Sequence, residues 1–295
     1  MSFWALAKNL VFIYEYSRIF NEFMRITNLI FIFFFGLTIG SFLNVLIYRL
    51  PRGLNIVKGR SFCPKCKKQL VWWELIPLFS FLFLRGRCSK CRAWISWQYP
   101  IVEFSTGSLF VLLFLKYISF ANYELRIMNY EFLSLMYGWI IISILIAIFF
   151  IDLKHYIIPD SLIIIGAVVA IIFLVTTEAL NLRFETLNVS VFPWLQFSFF
   201  SSQFLNHLIF AIIGGGLFGL IILLTRGKGM GMGDMKFAAL MGLILGSKLI
   251  PALYFSFIIG AIVGILLIIF KKKTLKSKLP FGPFLVASTL ALMLL

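Results

Sequence analysis

Acidic residues are scarce in this chain, 11 Asp and Glu against 27 Lys and Arg in 295 residues. Two of the aspartates stand where a carboxylate is costly. Asp152 ends the apolar run GWIIISILIAIFFID, and Asp234 sits in GKGMGMGDMKFAALMG, where a glycine-rich stretch enters another apolar segment. A carboxylate at the centre of a bilayer costs about 2.5–3.5 kcal/mol on insertion scales, so such groups tend to face protein or water and to be functional. Two carboxylates held close together cannot both ionise cheaply, and the pair shares a proton. One member can then take a proton from water while the other protonates a peptide carbonyl or leaving amine. The glycines at 227, 229, 231 and 233 leave that backbone open to close approach by an extended substrate chain. The residue types leave two other readings open. Each aspartate could cap a helix, or pair with Lys154 or Lys236, which lie two residues beyond. Asp160 follows Pro159 and precedes the next apolar run, the pattern of a helix N-cap.

The second constellation is Cys63, Cys66, Cys88 and Cys91, which read C-P-K-C and C-S-K-C across an intervening stretch. Two such knuckles supply four thiolates to one tetrahedral ion, as in zinc ribbons. Within each knuckle successive backbone amides can point at sulfur. Lys65, Lys67, Lys68, Lys90 and Arg92 offset the charge of a four-thiolate zinc centre. Four protein ligands leave no open position for a reacting water, so the expected metal is structural. The competing readings are two disulfides or unrelated thiols. Disulfides are disfavoured if the loop faces a reducing compartment.

The elements that must position these groups are apolar and many. The chain is 61% hydrophobic with a mean hydropathy of +1.01, and its apolar runs are long and nearly free of charge. An ordinary soluble core is excluded by that pattern. Eight spans are expected, at 28–48, 99–117, 134–151, 157–175, 207–225, 236–250, 251–270 and 280–295. The fold class is therefore an all-α polytopic membrane protein of about eight transmembrane helices. The division expected is an N-terminal extension 1–27, a first span 28–48, a four-cysteine loop 49–98 and a multi-pass domain 99–295. The extension lacks a small-residue cleavage site and reads as an interfacial helix or a plain extension rather than a cleavable signal.

The net charge of +16 would suit nucleic acid, but its distribution explains it otherwise. Segments 49–98, 152–156, 226–236 and 271–279 hold 20 of the 27 Lys and Arg. By the positive-inside rule those segments face the cytoplasm. The surplus is a topology signal with an affinity for anionic lipid, and no nucleic-acid partner is expected. Both aspartates then fall at one depth, Asp152 at the inner end of the third span and Asp234 at the inner start of the sixth.

Several stretches, taken in order, resemble the type IV prepilin leader peptidase and N-methyltransferase family. They are GSFLNVLIYRLP at 40–51, the two CxxC pairs, LRGRC at 84–88 and ISWQYPIVE at 95–103. They continue with IDLKHYIIPD at 151–160, GMGMGDMK at 229–236 and PFGPFL at 280–285. The resemblance covers roughly residues 28–295, and it is the co-linear order of these motifs that makes it specific. It implies an intramembrane aspartic peptidase in a bacterial inner membrane, with Asp152 and Asp234 as the catalytic pair at the cytoplasmic face. The implied substrates are prepilins or pseudopilins, whose short basic leader ends in Gly before a hydrophobic helix. It further implies methylation of the new N-terminal residue from S-adenosylmethionine. No glycine fingerprint for that donor is visible. Glu74, Glu103, Arg85 and Arg87 are the residues considered for it, each with a plainer reading as an ion-pair partner or a solvated charge. Asn44 in the first span reads as a packing hydrogen bonder. The rival classes are a transporter using both aspartates as an ion relay, and a zinc-ribbon assembly factor without a reactive site. A transporter would show inverted repeats, and none is seen.

Overall fold

A computed structural model describes residues 3–120, 128–179, 202–227, 229–270 and 279–295, with side chains from residue 23 onward except 118–120 and 128–130. The chain is helical, and among the described residues the only extended pairings are isolated bridges in the cysteine loop. The helices are α1 (Phe3–Arg49), α2 (Phe79–Phe83), α3 (Gln98–Phe120), α4 (Met128–His155), α5 (Asp160–Ala179), α6 (Gln203–Leu224), α7 (Met232–Leu245), α8 (Leu249–Ile269) and α9 (Gly282–Leu294).

Each of the eight expected apolar segments falls on one of these helices. Among the described residues, six stretches are long and apolar enough to cross a bilayer. The sixth, Met232–Ile269, comprises α7 and α8, and Gly282–Leu294 is a shorter apolar helix. The break between α7 and α8 lies at Gly246–Lys248, earlier than the sequence suggests, because Gly246 takes φ +55° and opens a short 3-10 turn. Helix α5 starts at Asp160 rather than 157, immediately after Pro159. Helix α1 runs without interruption through residue 28. Thr27 does not stop it, since its hydroxyl donates back to the Phe23 and Met24 carbonyls. Between the fourth and fifth expected spans lies a long segment, 176–206, of which residues 180–201 lie outside the described residues.

Small residues set the helix contacts, as expected where lipid removes the hydrophobic drive between apolar helices. Gly36 and Gly40 of α1 face Gly107 and Glu103 of α3, and a Cβ at either glycine would come 2.7 Å from the opposing Cα. Gly214 and Gly242 let α6 and α7 approach in the same way. Helix α4 is the hub, packed against α1, α3, α5 and α9. Its Ile141, Ile142, Leu145, Ile148 and Ile151 are fully buried. Trp139 stacks on Phe110 of α3 at 5.2 Å and donates its indole N–H to the Phe110 carbonyl.

Candidate active site and metal centre

Four helix ends meet where Asp152 and Asp234 stand. Asp152 lies one turn from the end of α4 and is buried. Its Oδ2 accepts from the Gly282 N–H, the first residue of α9, at 3.0 Å. Asp234 lies in the first turn of α7, half-buried, and its Oδ2 accepts from the Gly231 N–H at 3.3 Å. Each carboxylate therefore sits at a helix N-terminus, where unpaired N–H groups and the helix dipole favour negative charge. The loop from α4 to α5 closes one side, with Ile158 against Gly233. Helix α9 packs against both α4 and α7, so the two carboxylates stand at one end of the same helix cluster.

The alternative partners are engaged elsewhere. Lys236 pairs with Asp160 at 2.7 Å, tying α7 to the start of α5. Lys154 reaches Gln98 of α3 at 3.5 Å. This end of the bundle thus carries the start of α3 and the cysteine loop as well. At the other end Lys116 of α3 donates to the Met293 carbonyl of α9 at 2.9 Å.

The four cysteines converge. Their sulfurs all lie within 4.8 Å of one another, with Cys63–Cys91 and Cys66–Cys88 at 3.9 Å. A tetrahedral ion with metal–sulfur bonds of about 2.3 Å has sulfur–sulfur edges of about 3.8 Å, so the set fits zinc. The two knuckles share one construction. In the first, the Cys63 N–H donates to the Lys68 carbonyl, Lys67 N–H donates to the Cys63 carbonyl, and Phe62 bridges Gln69. In the second, Cys88 N–H donates to Ala93, Arg92 N–H donates to Cys88, and Arg87 bridges Trp94. Lys67 and Arg92 hold matching positive φ values of 58° and 56°. The backbone N–H groups of Cys91 and Lys90 aim at the Cys88 sulfur and bring that thiol down to about 6, which favours the thiolate a metal requires.

Glu74 locks the two knuckles together. It is buried, and it accepts from Lys68 Nζ at 2.7 Å, from Val71 N–H at 3.0 Å and from the Ser89 hydroxyl. Glu103 is buried in α3 and accepts from the Leu78 N–H at 2.8 Å, a backbone donor rather than the cation considered for it. Arg49 is buried and shares its guanidinium among the carbonyls of Asn55, Ile56, Lys58, Gly59 and Arg60. Asn44 donates to the Tyr99 carbonyl at 3.1 Å. Arg87 lies over the Trp94 ring at 4.5 Å, and Arg85 holds a turn at φ +50°. The Arg49 wrap and the Gly282 contact left no signal in residue spacing. The proline-flanked glycine of P-F-G-P-F, a helix-start pattern, was the nearest hint of the second.

Fold and site together define a polytopic helical membrane protein with a four-cysteine loop and two carboxylates at converging helix ends. Residues 34–117 match the bacterial peptidase A24 N-terminal domain, and residues 139–269 match the type IV leader peptidase family. Similar curated proteins bear the name prepilin leader peptidase/N-methyltransferase. That of Legionella pneumophila is 32% identical over 283 residues, covering 88% of each chain. That of Neisseria gonorrhoeae is 31% identical over 277 residues, 86% of this chain and 85% of the relative. That of Myxococcus xanthus is 34% identical over 243 residues, 81% of this chain, and the match spans 63% of that longer relative. No solved structure matches the chain. The chain belongs to the prepilin leader peptidase/N-methyltransferase family, and it is accordingly a multi-pass inner-membrane protein of the aspartic-peptidase class.

Proposed function

We propose that this protein removes the short basic leader from type IV prepilins or pseudopilins at the cytoplasmic face of the membrane, with Asp152 and Asp234 as the working pair, and then N-methylates the new terminus. The observation that carries the reading is the convergence of both carboxylates on the N-termini of α7 and α9. The relatives' shared name supplies the substrate class. In this reading the ionised member of the pair takes a proton from water, and the hydroxide oxygen attacks the scissile carbonyl carbon. The protonated member gives its proton to the carbonyl oxygen. As the tetrahedral adduct collapses the C–N bond breaks, and the amine leaves with a proton from the pair. The helix N-termini stabilise whichever carboxylate is charged. The glycines before Asp234 leave room for the extended leader, whose basic residues stay with the positive loops on the inner side.

Zinc fits the four cysteines by distance and donor type, and Cys63, Cys66, Cys88 and Cys91 would hold it as a structural ion that ties the loop together without entering the cleavage. S-adenosylmethionine would supply the methyl group for the second activity. Glu74 and Glu103, the carboxylates considered for it, are both engaged in loop bonds. The ion-relay reading gains no support, since the matching relatives are named as peptidases and methyltransferases.

The test is co-expression with a prepilin carrying a Gly–Phe junction. Asp152→Asn and Asp234→Asn should each reduce leader removal by about 10²-fold or more, the scale of general acid–base catalysis, with membrane insertion intact. Retained cleavage in either variant would sink the pair. Mass spectrometry of the mature N-terminus reads the added methyl separately.

A further inference from the structure

The cysteine loop carries an apolar segment that neither the metal nor the carboxylate pair explains. Between the knuckles, Ile76–Leu84 turns down and back along α1 and α3. The Leu78 N–H meets Glu103, five residues inside α3. The Phe79 ring stacks on Phe34 of α1 at 6.3 Å, and Phe34 lies fifteen residues before the end of that helix. At 1.5 Å rise per residue these partners lie about 7 and 22 Å from the helix ends. The turn is thus sunk on the order of 10 Å below the plane of Arg49 and Gln98, within the hydrocarbon depth.

Its outward side chains match that depth. Leu82 is 68% and Phe83 80% exposed, and Phe79 is also exposed. They continue the apolar outer surface formed by Phe34, Ile101 and Phe104 of the neighbouring spans. Apolar exposure of this extent on a water-facing loop would be a liability. Trp94 and Trp97, 72% and 68% exposed, stand above the turn, where aromatic residues favour the membrane–water boundary. Arg87 lies over the Trp94 ring, suited to headgroup phosphates, and the long Arg85 side chain can snorkel toward the same level.

The backbone is consistent with immersion. Irregular chain at membrane depth must satisfy its polar groups internally. Phe79 N–H donates to Pro77, Ser80 to Ile76, Leu82 to Leu78, Leu84 to Ser80, Arg85 to Leu82 and Gly86 to Phe81. Leu78 takes φ +59° at the head of α2, and its N–H is met by the Glu103 carboxylate.

We infer that residues 76–84 form a re-entrant wedge, with Leu82 and Phe83 in contact with lipid acyl chains and Glu103 as the internal acceptor that lets the turn enter the bilayer. The cysteine loop is then anchored in the membrane at the α1–α3 edge, and its metal centre is held at a fixed height above the lipid.

The test uses the full chain in phospholipid nanodiscs. Benzoylphenylalanine replacing Leu82 or Phe83 should give photoadducts one lipid in mass, about tenfold or more above the same probe at exposed Lys65, if the two positions sit in hydrocarbon. Adducts only to a second copy of the chain, or none at either position, would overturn the wedge. The unmodified protein gives an independent reading with lipids bearing a diazirine deep in the acyl chain. Labelled peptides should include 78–84, and labelling confined to the long helices would refute the inference.

Discussion

The Gly282 N–H donates to Asp152 Oδ2 at 3.0 Å, joining the first residue of α9 to an acid 130 positions earlier in the chain. A Cβ on Gly282 would fall 2.6 Å from that same oxygen. A side chain at this position would compete with the carboxylate for the same space. Gly282→Ala should therefore push Asp152 out of position. Overpacking of this kind costs about 1–3 kcal/mol, and a misplacement near 1 Å can cost about 10²-fold in rate. Single-turnover cleavage and thermal unfolding, measured together, check both. Unchanged cleavage would mean that the bond does not set the carboxylate.

Lys236 gives the opposite expectation. Its ion pair with Asp160 is exposed at both ends, where such pairs contribute up to about 1 kcal/mol and fade with salt. Lys236→Ala and Asp160→Asn should lower stability slightly, with the difference from wild type shrinking at high salt, and should leave most of the cleavage. A loss of cleavage matching that of the Asp152 variant would show that this pair belongs to the reaction.

The contrast between these two contacts shows what the sequence could carry. Local signals were legible. Apolar runs located the helices, the paired CxxC spacing located the four sulfurs, and scarce carboxylates singled out two residues that the fold brings to one end of the bundle. Contacts between distant segments were not. Lys236 lies two residues from Asp234 in sequence, yet its partner is Asp160, because α5 and α7 bring their starting ends together. Glu103 reads as a partner for a cation, yet it accepts from the backbone N–H of Leu78, a residue of positive φ. The span boundary at Gly246 also escaped, since glycine in an apolar run does not announce a positive φ.

Glu74 makes the cysteine loop sensitive to acid in a predictable direction. Burial alone would raise its carboxyl. Hydrogen bonds from Lys68, Ser89 and the Val71 N–H, with the Lys68 charge, outweigh that and hold it below the ordinary value of 4.5. A carboxyl lowered by folding contributes stability above its unfolded value and loses it as pH falls through the folded one. The loop should resist proteolysis at neutral pH and soften below about pH 4. Glu74→Gln should flatten that profile below about pH 4. An unchanged profile would place the acid sensitivity at other groups, such as the thiols.

Glu103 separates acceptor from charge. Its bond to Leu78 requires an oxygen and no negative charge, so Glu103→Gln keeps the acceptor and should leave the 76–84 turn in place. Glu103→Leu removes the acceptor, and an unsatisfied N–H at membrane depth costs several kcal/mol. That variant should either lift the turn or lower the stability of the α1–α3 pair, while Gln stays near wild type. Limited proteolysis at Arg85 and Arg87 in nanodiscs reads the lifting, and thermal unfolding reads the rest. The close approach of Gly40 to the Glu103 backbone offers a second lever, since Gly40→Val forces the two helices apart and should expose the same sites. If Gln and Leu behave alike in both measurements, the hydrogen bond to Leu78 is not what holds the turn.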